Sequence, residues 1–337
     1  MVFRGIAGHT HLLGLIAAAA GRGTLPPSVI FDGPDGVGKR TAAVALAQTI
    51  NCPQPVRFAE MDGADACGIC PSCKRIARGV HADVLMIEPG DTGTIKVDQV
   101  REAIERTAYR PFEGRRRVVI VDAADAMVAE AQNALLKTLE EPPAGSMFVL
   151  VTARPDMLLP TVRSRCQRLR FGRLSPADVA GVLIESHEYD PGAAHAAASA
   201  ADGSVGAALE GASEDFADAR DAAVRLLEHA AASKDPRRRL DAAKGLAAAG
   251  RGSVDRDDLG RRLRALASML RDLGALRSSV DARALANADI EARLNGLLKA
   301  FDGARTLRAF AAVERALAAL DRNASPKIVA DWIAFQL

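Results

Sequence analysis

The sequence predicts an α/β domain with a parallel sheet covered by helices on both faces, followed by a small helical unit and an all-α C-terminal domain. Three observations predict this. Strand-like and helix-like segments alternate through the first half of the 337 residues. Strand signals stop after Ser175-Pro176, and helical periodicity continues to Leu337. The first strand runs directly into a glycine-rich loop that ends in lysine and opens a helix, the setting a phosphate-binding loop requires. The boundaries that follow are 1–174 for a nucleotide-binding-type domain, 175–212 for a helical lid and 213–337 for a C-terminal helical domain.

Each element has its own warrant. Ser28–Phe31 is a short β-branched and aromatic run, and Arg40–Ile50 is the helix after the loop. Val84–Ile87, helix Val97–Tyr109, strand Val118–Val121, helix Ala129–Leu139 and strand Met147–Val151 then alternate, as strands buried on both faces do. Pro142-Pro143 stops one helix, and Ser175-Pro176 is an N-cap with a first-turn proline that starts the next. Ser175–Ala212 reads as a small helical unit. Asp215–Leu337 reads as amphipathic helices that include Leu259–Leu273 and Ala304–Leu320.

Composition excludes several classes. Half the residues are apolar and 26% charged, the balance of a globular chain. Lys and Arg total 44 against 42 Asp and Glu, so any contact with nucleic acid is local. No run of about 20 apolar residues occurs, which argues against a membrane span. Met1–Gly23 lacks the pattern of a signal peptide, and its Ala17–Ala20 stretch reads as helix. A cytoplasmic address is expected.

The phosphate loop is Gly33-Pro34-Asp35-Gly36-Val37-Gly38-Lys39. Gly33, Gly36 and Gly38 let backbone N–H groups approach phosphate oxygens, and Lys39 supplies a point charge. ATP or ADP suits such a loop, but the hydroxyl that should follow the lysine and ligate Mg²⁺ is replaced by Arg40. Thr41 is a poor substitute, because one residue along a helix rotates the side chain by about 100°. Arg40 either holds nucleotide as a static cation or is a solvated helix residue. Asp122 stands at the end of Val118–Val121, where such folds place the carboxylate that holds Mg²⁺; otherwise it is a loop cap. Ala123 then occupies the position of the water-orienting glutamate, and Asp125 lies beyond the strand end.

Four of the five cysteines fall in Cys52 and Cys67-Gly68-Ile69-Cys70-Pro71-Ser72-Cys73. Two Cys-x-x-Cys steps place three thiolates around one ion, and Cys52 reaches it across a loop, so a structural zinc module is expected over about 51–80. The competing reading is a redox pair. His81 reads as a loop histidine, Cys166 as a small buried residue, and Arg115-Arg116-Arg117 as an exposed turn.

These motifs, together with Asn133–Pro143, Ser164-Arg165-Cys166 and, weakly, Asn323-Ala324-Ser325-Pro326-Lys327, occur in an order that resembles the AAA+ clamp-loader subunits of bacterial DNA polymerase III, the gamma/tau and delta-prime family. The resemblance spans about Gly5–Ala212. It implies that Arg165 is a trans arginine finger inserted into a neighbour's ATP site; without it, Arg165 is one more surface cation. It also implies that Gly206 stands where gamma/tau carries a γ-phosphate-sensing arginine. With Arg40, Ala123 and Gly206 lost and Arg165 kept, the pattern fits the delta-prime branch, with no ATPase activity of its own, better than an active gamma/tau motor. The implied assembly is a heteropentamer with gamma/tau and delta, which loads the sliding clamp onto primed DNA within the polymerase III holoenzyme, a nucleotidyltransferase at the replisome. In it, 213–337 would form an oligomerising collar, and Lys96 and Arg101 are candidate DNA phosphate contacts, though solvated surface charge describes them as well. Two rivals remain: an autonomous ATPase, against which Ala123 speaks, and a zinc-dependent nucleic-acid module, against which the near-neutral charge and the lack of aromatic residues near the cysteines speak.

Overall fold

In the computed structural model, the described residues are 2–58, 63–201, 203–210, 214–232, 235, 237–238, 256–278, 285, 287, 290–321 and 324–337. Asn323 and the expected boundary at 212–213 lie outside them, as does the 59–62 stretch of the cysteine module. The chain forms two compact units: Met1–Val182 with Gly203–Val205, and Leu183–Asp202 with Gly206–Leu337.

The first unit is built on strands β1 (Ser28–Asp32), β4 (Val84–Ile87), β5 (Arg117–Val121), β6 (Ser146–Thr152) and β7 (Gln167–Arg170). They form one parallel sheet in the order β4-β5-β6-β1-β7. The three central strands are buried throughout, which is why each reads as a continuous apolar run. Alternate side chains serve two cores. Val29, Phe31, Val118 and Ile120 pack on the side of helices α1 (Thr10–Arg22) and α2 (Lys39–Asn51). Ile30, Val119, Val121 and Leu150 face the opposite core with α4 (Val97–Thr107) and α5 (Ala129–Glu140). The expected α/β class holds.

Three strands were absent from the sequence reading. β7 is an edge strand whose Gln167, Arg168 and Arg170 are exposed, so it lacks an apolar signal. β2 (Val56–Phe58) and β3 (Gly63–Asp65) form a short antiparallel hairpin in the cysteine module. At Gly63 a Cβ would lie 2.4 Å from the Ala17 carbonyl carbon, so only glycine lets β3 rest directly on α1. Arg117 also corrects the sequence reading. It opens β5 and is buried, while Arg115 and Arg116 remain in the loop before it.

At the start of α7 (Pro176–His187), the Ser175 hydroxyl accepts from Asp178 N (3.1 Å), as the expected N-cap requires. α7 runs across the division between the two units. The second unit is helical, with helices at Pro191–Ala200, Glu214–Ala232, Arg256–Arg277, Glu291–Leu297, Gly303–Asp321 and Pro326–Gln336. Leu227, Leu263, Leu266, Phe301, Val313 and Ile333 form its core. No helix among the described residues is long and apolar enough to cross a membrane.

Candidate functional site

The phosphate loop leaves β1 at the C-terminal end of the sheet. Gly33 has φ +151°, and a Cβ there would meet the Phe171 carbonyl oxygen at 2.2 Å, so the chain leaving β7 and the loop touch backbone to backbone. Gly36 and Gly38 also have positive φ, which the turn into α2 requires. Lys39 is the first residue of α2 and is buried. Its ammonium donates to the carbonyls of Gly33 (2.7 Å) and Pro34 (2.5 Å), so it closes its own loop. Burial lowers its pKa, and the carboxylates of Asp35, Asp125, Asp122 and Asp32 oppose the shift. The Gly36 carbonyl accepts from Val205 N at 3.0 Å. A phosphate entering the loop would replace the two carbonyls as partner of the ammonium.

Beyond Lys39, Arg40 is exposed on α2, as a solvated helix residue is, and it is also ion-paired. Its guanidinium bridges Asp122 (3.0 Å) and Glu88 (2.5 Å), side chains that follow β5 and β4. The other Asp122 oxygen accepts from Ala123 N (3.1 Å), so the carboxylate caps its loop and also neutralises Arg40. Ala123 itself has φ +51°, a conformation few residues with a side chain adopt. Asp125 is engaged elsewhere: Thr152 (2.7 Å) and Arg154 (2.8 Å) hold its carboxylate. Thr41 follows in α2 and is half-buried. Gly206 lies in helix Val205–Glu210.

The four cysteines converge as expected. The Sγ atoms of Cys52, Cys67, Cys70 and Cys73 all lie within 4.8 Å of one another, and Cys67 and Cys73 are 4.0 Å apart. Tetrahedral Zn–S bonds of about 2.3 Å require Sγ separations of about 3.8 Å, so the donor set fits one thiophilic ion. Backbone N–H groups already point at the sulfurs: Cys67 N to Cys52, Cys70 N to Cys67 and Cys73 N to Cys70, each at 3.4 Å. Burial opposes ionisation of Cys67, but the N–H groups of Cys70 and Ile69 outweigh it and bring the thiol to about 6. Cys70 caps α3 (Pro71–Ala77) with its sulfur. The module is tied down by Asp65, which accepts from Phe3 N and Arg4 N, and by Gln48, which donates to the Cys73 carbonyl (2.7 Å). Cys166 is buried outside the cluster, where burial raises its thiol to about 12.

Arg165 follows the short helix α6 (Pro160–Arg163) and is part-exposed. Its Nε donates to the Glu140 carboxylate (2.8 Å), and a second guanidinium nitrogen reaches the same oxygen. The Thr161 carbonyl accepts from it at 2.9 Å. The C-terminal end of α5 therefore aims this arginine. Lys96 is exposed at the start of α4, and Arg101 stands 4.0 Å from Asp98 on the same exposed helix face.

Sequence reading missed Asp83. It is fully buried and accepts N–H bonds from Phe112 (2.7 Å), Glu113 (2.8 Å) and Gly114 (2.8 Å), with Arg117 at 2.9 Å. Burial would raise its pKa, but the three amides and the guanidinium prevail and set it at about 2. The only signal was an aspartate one residue before a strand. His81 is buried and bonds to Ser72 (3.1 Å) and to Asp83 N (3.1 Å), so it is a packing residue outside the thiol cluster.

The family model described as DNA polymerase III, delta subunit, matches residues 8–175. The DNA polymerase III subunit delta' of Bacillus subtilis is 35% identical over 204 residues, which is 60% of this chain and 59% of that protein. The delta' subunit of Pseudomonas aeruginosa is 38% identical over 147 residues, 43% of each chain. Subunit gamma/tau of Mycobacterium tuberculosis is 33% identical over 188 residues, 56% of this chain and 32% of that protein. The chain thus spans about a third of the gamma/tau relative and about half of the delta' relatives. Among solved structures, a gamma subunit-related protein of Thermotoga maritima covers 97% of both chains at 18% identity, with a TM-score of 0.39. The Bacillus subtilis clamp loader delta protein covers 96% of this chain and 98% of its own, at 10% identity and a TM-score of 0.36.

Proposed function

From the premise that this chain belongs to the DNA polymerase III clamp-loader family, we propose that it works as a delta-prime-type subunit, one that completes a neighbour's ATP site without hydrolysing ATP itself. One observation carries this reading. The position that needs a metal-binding hydroxyl holds Arg40, and its guanidinium occupies Asp122, the carboxylate that would hold Mg²⁺. Ala123 leaves no carboxylate to orient water. The loop itself, with Lys39 and three glycines, suits ATP or ADP as a held, unreacted ligand. Arg165, by contrast, is part-exposed and aimed by Glu140, as a residue serving another subunit should be. An arginine on a developing phosphoryl charge is worth about 10³–10⁵ in rate.

In this reading the four thiolates of Cys52, Cys67, Cys70 and Cys73 hold zinc. A closed thiolate shell leaves no open coordination position, so the metal supplies folding energy to the hairpin and α3 and no chemistry. Segment 175–212 acts as the lid and 213–337 as the oligomerising collar. Gamma/tau and delta subunits complete the ring, with the sliding clamp and primed DNA as its substrates and Lys96 and Arg101 as phosphate contacts. The runner-up is an active gamma/tau-type ATPase; gamma/tau relatives are among those that match.

The test is ATPase activity of the reconstituted loader with clamp and primed DNA, wild type against Arg165→Ala, with the isolated chain assayed alongside. A silent isolated chain and a loader slowed at least tenfold by the substitution support the proposal. Turnover by the chain alone, with the loader unaffected, makes it a motor in its own right.

A further inference from the structure

At the end of the sheet opposite the phosphate loop, a pocket of about 470 Å³ opens between the C-terminal ends of α1 and α2, the β2–β3 hairpin and the loop entering β5. Four arginines from three separate stretches of chain line it: Arg22 from the last turn of α1, Arg57 from β2, and Arg115 and Arg116 from the loop. No carboxylate is among the described residues that line it. Arg4, Arg40, Arg75, Arg117, Arg154 and Arg168 each have an acidic partner. The guanidiniums of the four in the pocket have none among the described residues; Arg78, Arg110 and Arg170 share that state, but only these four line one pocket.

Four like charges gathered with no counter-charge among the described residues repel one another. Charge balance along a helix axis accounts for one of them at most. Arg22 suits the C-terminal end of α1, where the dipole amounts to about half a negative charge. Arg57, Arg115 and Arg116 belong to a strand and a loop. The loop is also held in place, because Asp83 takes the N–H groups of residues 112–114 and Asn51 takes that of Arg116 (3.0 Å). Guanidiniums carried on a backbone held in this way are suited to phosphate oxygens, which they bind through paired N–H donors.

We infer that this pocket binds the sugar–phosphate backbone of a DNA strand, at a place separate from the phosphate loop and from Lys96 and Arg101. No aromatic ring is among the described residues that line it, so binding is to phosphate and independent of sequence. The choice of a nucleic acid over a small phosphorylated compound rests on the proposed place of this chain at primed DNA; the anion-binding pocket does not.

The experiment uses the isolated full-length chain, so it stands or falls apart from the loader's ATPase. Fluorescence anisotropy follows a labelled 20-nucleotide oligothymidylate across a salt series, for wild type, Arg57→Ser/Arg116→Ser, and Arg78→Ser, an exposed arginine outside the pocket. Circular dichroism checks that each is folded. Removing two phosphate contacts on a single strand should lower the slope of log K against log salt by about 1.4 and weaken binding at least tenfold at low salt, with Arg78→Ser near wild type. Three results would overturn the inference: no binding by the wild-type chain, equal losses for the double variant and Arg78→Ser, or displacement of the oligonucleotide by tripolyphosphate at equal phosphate concentration.

Discussion

The carboxylate of Asp83 offers the sharpest quantitative test of how the first unit is held together. Each of its oxygens accepts two hydrogen bonds: Oδ1 from Phe112 N and Arg117, Oδ2 from Glu113 N and Gly114 N. Its pKa of about 2 stands below the ordinary 3.8, a difference of about 1.8 units, or roughly 2.4 kcal/mol at 1.36 kcal/mol per unit. Because the folded value is depressed, the unfolded chain takes up the proton first as pH falls. The stabilisation is complete above about pH 4 and disappears as pH falls through 2. Asp83→Asn removes the charge and turns an NH₂ group towards two N–H donors, so the variant should be at least about 2 kcal/mol less stable at pH 7. Urea unfolding of both proteins at pH 7 and pH 3, with chelator and reductant throughout, measures this. The gap should narrow by about 1 kcal/mol at pH 3, where the same linkage leaves roughly 1.3 of the original 2.4 kcal/mol. A gap below 1 kcal/mol at pH 7, or one that stays constant with pH, would refute the assignment of the stabilisation to this charge.

Cys70→Ser should lower bound zinc from about one ion per chain to a small fraction after desalting, and lower the melting temperature with it. Cys166→Ser should retain the metal, because that thiol is buried outside the cluster; equal zinc in both variants counts against a four-thiolate site. Arg40→Ser returns a hydroxyl to the position after Lys39 and frees Asp122, so calorimetry should find ATP binding by the isolated chain tightened by Mg²⁺ where the wild type shows no such dependence. Stability should change by less than about 1 kcal/mol, since the ion pairs lost are largely exposed; an unaltered response to Mg²⁺ means that Arg40 is not what closes the metal position.

Much of the fold was legible because its informative parts are local. Ser28–Asp32, Arg117–Val121 and Ser146–Thr152 are buried on both faces and so read as unbroken apolar runs. The glycines of 33–38 and the two Cys-x-x-Cys steps likewise carry their geometry in their spacing. What escaped is non-local. Arg115, Arg116 and Arg117 are indistinguishable in sequence. Only Arg117 is buried, because Asp83, 34 residues upstream, supplies the partner. From sequence Arg40 is either a cation for nucleotide or a solvated helix residue, because nothing near it in sequence reveals Asp122, 82 residues away, as its partner. β7 carries its polar residues outward at a sheet edge, where no apolar pattern is needed.

The parallel sheet explains why these non-local residues fall into two groups. All five strands run the same way, so every residue that follows a strand is delivered to one end and every residue that precedes one to the other. Gly33 after β1, Glu88 after β4, Asp122 after β5 and Phe171 after β7 collect around the phosphate loop. Asp83 before β4, with Arg115, Arg116 and Arg117 at the entry to β5, collects at the opposite end beside the cysteine module. The two groups share no side-chain partner among the described residues. A change at the first end therefore places no constraint on the second. On the proposed reading, a subunit without a metal position can keep, or acquire, a phosphate-binding surface behind it, and variants at the two ends should act independently.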